Sequence, residues 1–337
     1  PWVVSARTAG ALREQARRLL DRVEENPGLS PLDVAFSLAT GRSALEQRAV
    51  VTGSGRTDLI SGLRSLAAGE THPAVLQGTR TAGSTAFLFT GQGAQRAGMG
   101  LELYNAFPAF ATALDEVLNA LDPLLERPLR DVIATGEGLD ETGFTQPALF
   151  AVEVALFRLA ESWGIRPDYI AGHSIGELTA AHVAGILTLP DAATLVTARA
   201  RLMQALPGNG TMLAVQTTED EVLPLLTGRE TEIAIAAVNA PHSVVISGDE
   251  TAIAEVAEQL TALGHRTKQL TVSHAFHSPH MDAMLEEFRT VAAALTFNTP
   301  QIPVISTLTG KVAEGEELRT ADYWVAQVRG TVRFADA

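Results

Sequence analysis

Residues 167–177 read PDYIAGHSIGE, a short apolar strand signal that runs into Gly172-His173-Ser174-Ile175-Gly176. This is a G-x-S-x-G pattern, and its surroundings decide how it is read. With a strand before it and a helix after it, the serine sits on a sharp turn where a side chain at either glycine position would crowd the backbone. The turn lifts the Ser174 hydroxyl above the sheet and aims a helix N-terminus at it. The helix dipole and the free N–H groups then face any oxyanion that forms, and the Ile175 N–H is the natural first donor. The five-residue pattern alone also fits an ordinary turn; the strand–turn–helix context favours a nucleophile.

Working outward, "TAFLFTGQGAQ" (85–95) is an apolar run, expected to be a strand buried on both faces, that enters a Gly-rich loop at Gly91-Gln92-Gly93. That loop offers a second oxyanion donor or is a bare turn. Helices are expected at 100–106 and 108–121, and "FTQPALFAVEVALFRLAESWG" (144–164) reads as a helix apolar nearly all round, hence buried. Alternating buried strands and helices argue for an α/β sheet with mostly parallel strands. Between 212 and 273 the rhythm changes to strand, helix, strand, strand, helix, strand, which is the ferredoxin-like order. The expected architecture is a large α/β domain (84–211 and 274–337) with a small ferredoxin-like domain (212–273) inserted in it. Residues 1–83 form a separate small α/β unit. It has a strand at "PWVVSA", a long amphipathic helix with Thr8 as N-cap and Leu12, Ala16, Leu19 and Leu20 on one stripe, and then a helix, a strand and a third helix.

Serine needs a base. His173 adjoins it but should point away, and His182 lies two helical turns further on. His274, His277 and His280 cluster in "SHAFHSPHM" (273–281), where the chain re-enters the large domain; the cluster does not choose among them. Arg199, in "LPDAATLVTARARLMQAL" (189–206), falls on the apolar stripe of Leu195, Val196, Leu202 and Met203, whereas Arg201 points away. A buried guanidinium needs a counter-charge, either a protein carboxylate or a carboxylate of the substrate.

The 337 residues are 46% hydrophobic and 19% charged, enough for a sizeable core. A net charge of −14 argues against nucleic-acid or anionic-membrane partners. The absence of cysteine removes disulfides and thiolate chemistry, and the eight histidines show no metal-ligand spacing. No apolar run is long enough to span a membrane, and a cytoplasmic protein is the plain expectation. The start at Pro-Trp-Val-Val and the end at "RFADA" read as a piece of a longer chain.

"FTGQGAQ", "ETGFTQPALFAVEVAL", "GHSIGE", "ARARLMQ" and "HAFHSPHMD" together resemble, in order and spacing, the acyltransferase domain of modular type I polyketide synthases, an α/β-hydrolase-like fold related to the malonyl-CoA:acyl carrier protein transacylase. The opening "PWVVSARTAGALREQARRLL" resembles the linker that joins a ketosynthase to its acyltransferase. The resemblance implies that Ser174 is acylated, His277 is the base and Arg199 grips the free carboxylate of malonyl. It further implies that the Gln92 backbone N–H is the second oxyanion donor, that the Gln327 backbone carbonyl orients the histidine, and that His173, Asn239, His274 and Phe276 line the cleft. His274-Ala275-Phe276-His277 is similar to the malonyl-loading class, in which the Phe276 ring would fill the space a methyl branch needs. Ile175 after the nucleophile and "ETGFTQ" agree. The implied substrate is malonyl-CoA, a coenzyme A thioester, with no bound cofactor or metal, and the implied partners are an acyl carrier protein and a neighbouring ketosynthase. The alternatives are relaxed extender choice that admits methylmalonyl, an α/β-hydrolase-type esterase, and a non-catalytic docking scaffold.

Overall fold

The computed structural model describes residues 1–337, which divide into two units, Pro1–Gly83 and Ser84–Ala337. The first is built from β1 (Trp2–Ala6), α1 (Ala9–Glu25), α2 (Pro31–Gly41), β2 (Gln47–Val51), α3 (Arg56–Ala68) and β3 (Val75–Thr79). Thr8 caps α1 by accepting from the Ala11 N–H at 3.2 Å, and Leu12, Ala16, Leu20 and Val23 form the buried stripe. Trp2, Val51, Leu63 and Leu66 complete the core against an antiparallel β1-β2-β3 sheet. Sequence reading did not find β3. It is an edge strand whose residues are mostly exposed, so it shows no hydrophobic alternation.

The second unit opens with β4 (Ala86–Phe89), α4 (Leu101–Ala106), α5 (Pro108–Leu121), α6 (Leu129–Thr135) and α7 (Thr142–Ser162). It continues with β5 (Tyr169–Gly172), α8 (Ile175–Val183) and α9 (Leu189–Gln204). The chain then forms β6 (Gly210–Val215), α10 (Glu219–Leu226), β7 (Ile233–Ala240), β8 (Ser243–Asp249), α11 (Glu250–Ala262) and β9 (Thr267–Gln269). It ends with α12 (Leu285–Ala293), β10 (Val304–Ser306), β11 (Lys311–Val312) and α13 (Ala321–Arg329).

The main sheet has the order β11-β10-β5-β4, with β4, β5 and β10 parallel and β11 a short antiparallel edge. One expectation fails here: β4 is not buried on both faces. It is an edge strand that buries one face only: Phe89 is buried, whereas Ala86 and Leu88 alternate onto the other face, where Leu88 is 60% exposed. Helix α7 is buried along nearly its whole length, as its all-round apolar surface requires. The inserted sheet is fully antiparallel in the order β7-β8-β6-β9, the ferredoxin-like arrangement. Its strands alternate. Leu213, Val215, Ile235, Val244 and Ile246 face α10 and α11, while Met212, Ala236, Ala237 and Val245 join the core of the large subdomain. No helix is long and apolar enough to cross a membrane.

Candidate active site

A cavity of about 480 Å³ opens between the carboxyl ends of β4 and β5 and the inner face of the inserted sheet. Such crevices, beyond the carboxyl ends of parallel strands, are the usual ligand positions in α/β sheets. Ser174 lies at its base, directly after β5, with φ 55° and ψ −110°. Ser174 and His277, at φ 57°, are the two non-glycine residues with positive φ. Such strain persists only where the surroundings impose it. The glycines permit it: a Cβ on Gly172 would lie 2.0 Å from the Gly176 carbonyl carbon, and one on Gly176 would lie 2.5 Å from the Thr90 oxygen.

His277 Nδ1 donates to the Gly330 carbonyl at 2.9 Å, so the unprotonated Nε2 faces Ser174 Oγ at 2.8 Å. Burial pushes the ring's pKa down to about 3, reinforced by the charge of Arg199 and by His173. The ring is therefore neutral and able to accept a proton at physiological pH. Its third partner is a carbonyl, so a carboxylate-backed triad is not formed.

Arg199 is almost fully buried. It donates to Gln146 Oε1 at 2.8 Å and to Ser174 Oγ at 3.0 Å, and its Nε has no partner. No carboxylate hydrogen-bonds to it. Burial lowers its pKa to about 9, against the opposing pull of Glu177, so it remains charged at neutral pH. The result is a desolvated cation, held by neutral groups, beside a strained serine and a neutral histidine.

Around this centre the Gly91–Gln92 loop and Ile175 also line the cavity. As the first residue of α8, Ile175 has an N–H with no intrahelical acceptor. Phe276, His173, Asn239 and Phe334 form part of the wall, and His173 Nε2 donates to Asn239 Oδ1 at 2.9 Å across the two subdomains.

Residues 86–337 match the family model described as "Acyl transferase domain", and residues 2–63 match the one described as "CurL-like, PKS C-terminal". The chain belongs to the acyltransferase domains of modular type I polyketide synthases. It is 54% identical to the crystallised acyltransferase domain from the second module of the salinomycin polyketide synthase, covering all of this chain and 79% of that one with a TM-score of 0.82. The domain from module 8 of the same synthase is 38% identical, with a TM-score of 0.94 over all of this chain and 80% of that one. The spectinabilin polyketide synthase system protein NorB of Streptomyces orinoci is 53% identical over 99% of this chain, which spans only 16% of that protein's length.

Two expectations about this acyltransferase need correction. The carbonyl that accepts from His277 Nδ1 at 2.9 Å belongs to Gly330, not to Gln327. The Gln327 carbonyl, one helical turn earlier, is a secondary influence on the ring, and its side-chain amide donates to the Ser174 carbonyl at 2.8 Å. The exact position of a helix end decides which carbonyl faces outward, and sequence cannot resolve that. His274 does not line the cavity. It is buried behind Phe276, with ring centroids 5.9 Å apart, and is held by Ser273 Oγ at 2.8 Å and the Leu206 carbonyl at 2.9 Å. His280 bonds to Asp249, and the three clustered histidines thus serve three separate sites.

Sequence reading missed Gln146, Glu153 and Glu177. Glu177 is fully buried beneath the turn and bonds to Thr307, Tyr323 and Gln327; burial raises its pKa. Gln146 and Glu153 are seven residues apart on α7, hence on one helix face. Polar side chains on an otherwise apolar buried helix were the available signal.

Proposed function

We propose that the domain transfers a malonyl extender unit from malonyl-CoA to the phosphopantetheine thiol of an acyl carrier protein, by way of a Ser174 ester. The observation that carries this reading is Arg199. A buried guanidinium without a protein carboxylate, 3.0 Å from the candidate nucleophile, lacks a counter-charge that an acyl group bearing its own carboxylate would supply. An ordinary neutral ester would leave that charge unmatched.

In this mechanism Arg199 pairs with the malonyl carboxylate and places the thioester carbonyl over Ser174. His277 Nε2 takes the hydroxyl proton as Oγ attacks. The backbone N–H groups of Gln92 and Ile175 hold the tetrahedral oxyanion. The C–S bond breaks, His277 returns the proton to the coenzyme A sulfur, and malonyl-serine remains. The carrier thiol then attacks this ester by the same steps in reverse, which is ping-pong transfer.

Malonyl is favoured over methylmalonyl because the Phe276 ring is buried at the cavity wall and backed by His274, which limits the room for a branch at C2. Residues 1–83 are read as the linker toward a ketosynthase, consistent with a unit whose core is its own. Intact mass spectrometry after brief exposure to malonyl-CoA, methylmalonyl-CoA or acetyl-CoA tests the reading. The expected result is one malonyl adduct, absent from Ser174→Ala and weak with the other donors. A folded protein that takes no acyl group from any donor would refute it.

A further inference from the structure

Glu153 is the one buried carboxyl of α7, and its two oxygens divide between two segments. Oε1 accepts from the Thr90 N–H at 2.6 Å and the Thr90 hydroxyl at 2.7 Å; Oε2 accepts from the Thr179 hydroxyl at 2.8 Å. Thr90 directly follows β4 and lies two residues before Gln92. Thr179 lies on α8, one helical turn beyond Ile175 and therefore on the same face. The two segments already meet where Gly176 approaches the Thr90 carbonyl too closely for a Cβ, and where Gly91 abuts His173.

We propose that Glu153 is a positioning residue that spans the β4 loop and α8, holding the Gln92 and Ile175 N–H groups at the separation that an oxyanion requires. This rests on the oxyanion assignment made above. A carboxyl in the core is costly unless its bonds are satisfied, and an apolar side chain would fill the space more cheaply. The choice makes physical sense if the geometry of those bonds matters. Glu153 accepts from donors on two independent segments at once, which no aliphatic side chain can do. It faces Thr90 and Thr179, not the cavity, so it acts through the backbone of others and touches no substrate. Oxyanion donors are sensitive to their placement, since losing one costs about 10²–10³ in rate and a displacement of about 1 Å can cost about 10².

The test is the single-turnover rate of Ser174 acylation by malonyl-CoA, followed by intact mass as a function of donor concentration. Glu153→Ala should slow the limiting rate roughly 10- to 100-fold with half-saturation unchanged, because substrate binding is untouched. Glu153→Gln retains an oxygen for Thr90 and an amide for Thr179, and should restore most of the rate. Thr179→Val cuts one arm and should fall between. A folded Glu153→Ala acylating at the parent rate overturns the proposal, as does a loss confined to half-saturation. A Glu153→Gln as slow as Glu153→Ala would also overturn it, by showing that charge rather than the bridge matters. If Glu153→Ala does not fold, Thr179→Val at the parent rate has the same force. Gln92→Pro, which deletes one donor outright, separates this from the reading beneath it: a parent rate there means the oxyanion assignment fails, whatever Glu153 does.

Discussion

On the large-subdomain side of the cavity stand Ser174, His277, Arg199 and Gln146; on the side of the inserted sheet stand Met212, Ala236, Ala237 and Val245. The first group is polar and mostly buried, with two non-glycine residues at positive φ and a cation without a carboxylate. The second is apolar and mostly small. Its alanines leave room where larger side chains would close the space, and the same strands carry large residues on their other face. One wall therefore concentrates electrostatic cost at fixed points, and the other supplies volume. Asn239 is the exception, a polar group on the apolar wall that reaches across to His173.

The sharpest way to break this comparison is to empty the polar wall. Ser174→Ala should remove acylation altogether, and His277→Ala should slow it by roughly 10³-fold or more, read by intact mass at fixed donor concentration. A mutant serine position that still accumulates adduct would move the chemistry elsewhere. Arg199→Ala comes next. Removing one partner of a buried charge pair costs about 3–5 kcal/mol, so malonyl loading should fall by roughly 10²- to 10⁴-fold while acetyl loading does not fall. Equal losses with both donors would make Arg199 a purely structural residue.

Phe276, an apolar residue on the large-subdomain side, should respond more gently. Phe276→Ser should shift the methylmalonyl-to-malonyl loading ratio by about 10–200-fold, the range that one methyl group is worth in an apolar pocket. An unchanged ratio, measured by competition between the two donors, would remove Phe276 from the selectivity argument. A last effect concerns stability rather than rate. Burial pushes Glu153 up to about 7, with the Thr90 and Thr179 hydrogen bonds opposing that shift. A raised folded-state pKa means its contribution is full below the unfolded value near 4.5 and is lost as pH rises through about 7. Glu153→Gln should therefore flatten the decline in denaturation midpoint between about pH 5 and pH 8, an effect of at most about 3 kcal/mol. His277 works the other way. Its lowered pKa keeps the base neutral, so acylation by the free enzyme should show no inflection near 6.5 as pH falls toward 5.

How much of this was legible beforehand differs from residue to residue. The turn at Gly172–Gly176 could be read because its requirement is local: glycines on both sides of the serine, an apolar strand before it, a helix after it. The ferredoxin-like insert was legible for a similar reason, since each strand buries alternate residues and each helix one stripe. Arg199 stood out as a charge on a buried stripe, though its burial did not say what it faces. The residues alone left three histidines open, and the resemblance to the acyltransferases singled out His277.

Sequence by itself thus determined which segments fold, into what, and where a nucleophile could be strained into place, because backbone hydrogen bonding and one-sided burial act over neighbouring residues. Only the tertiary structure decided which groups meet. Ser174 and His277 are 103 positions apart, and Thr90 and Glu153 are 63. The carbonyl behind His277 is Gly330's rather than Gln327's because α13 ends where it does. Such contacts arise when separate elements pack, and the partner of a buried polar group is whatever that packing brings within about 3 Å.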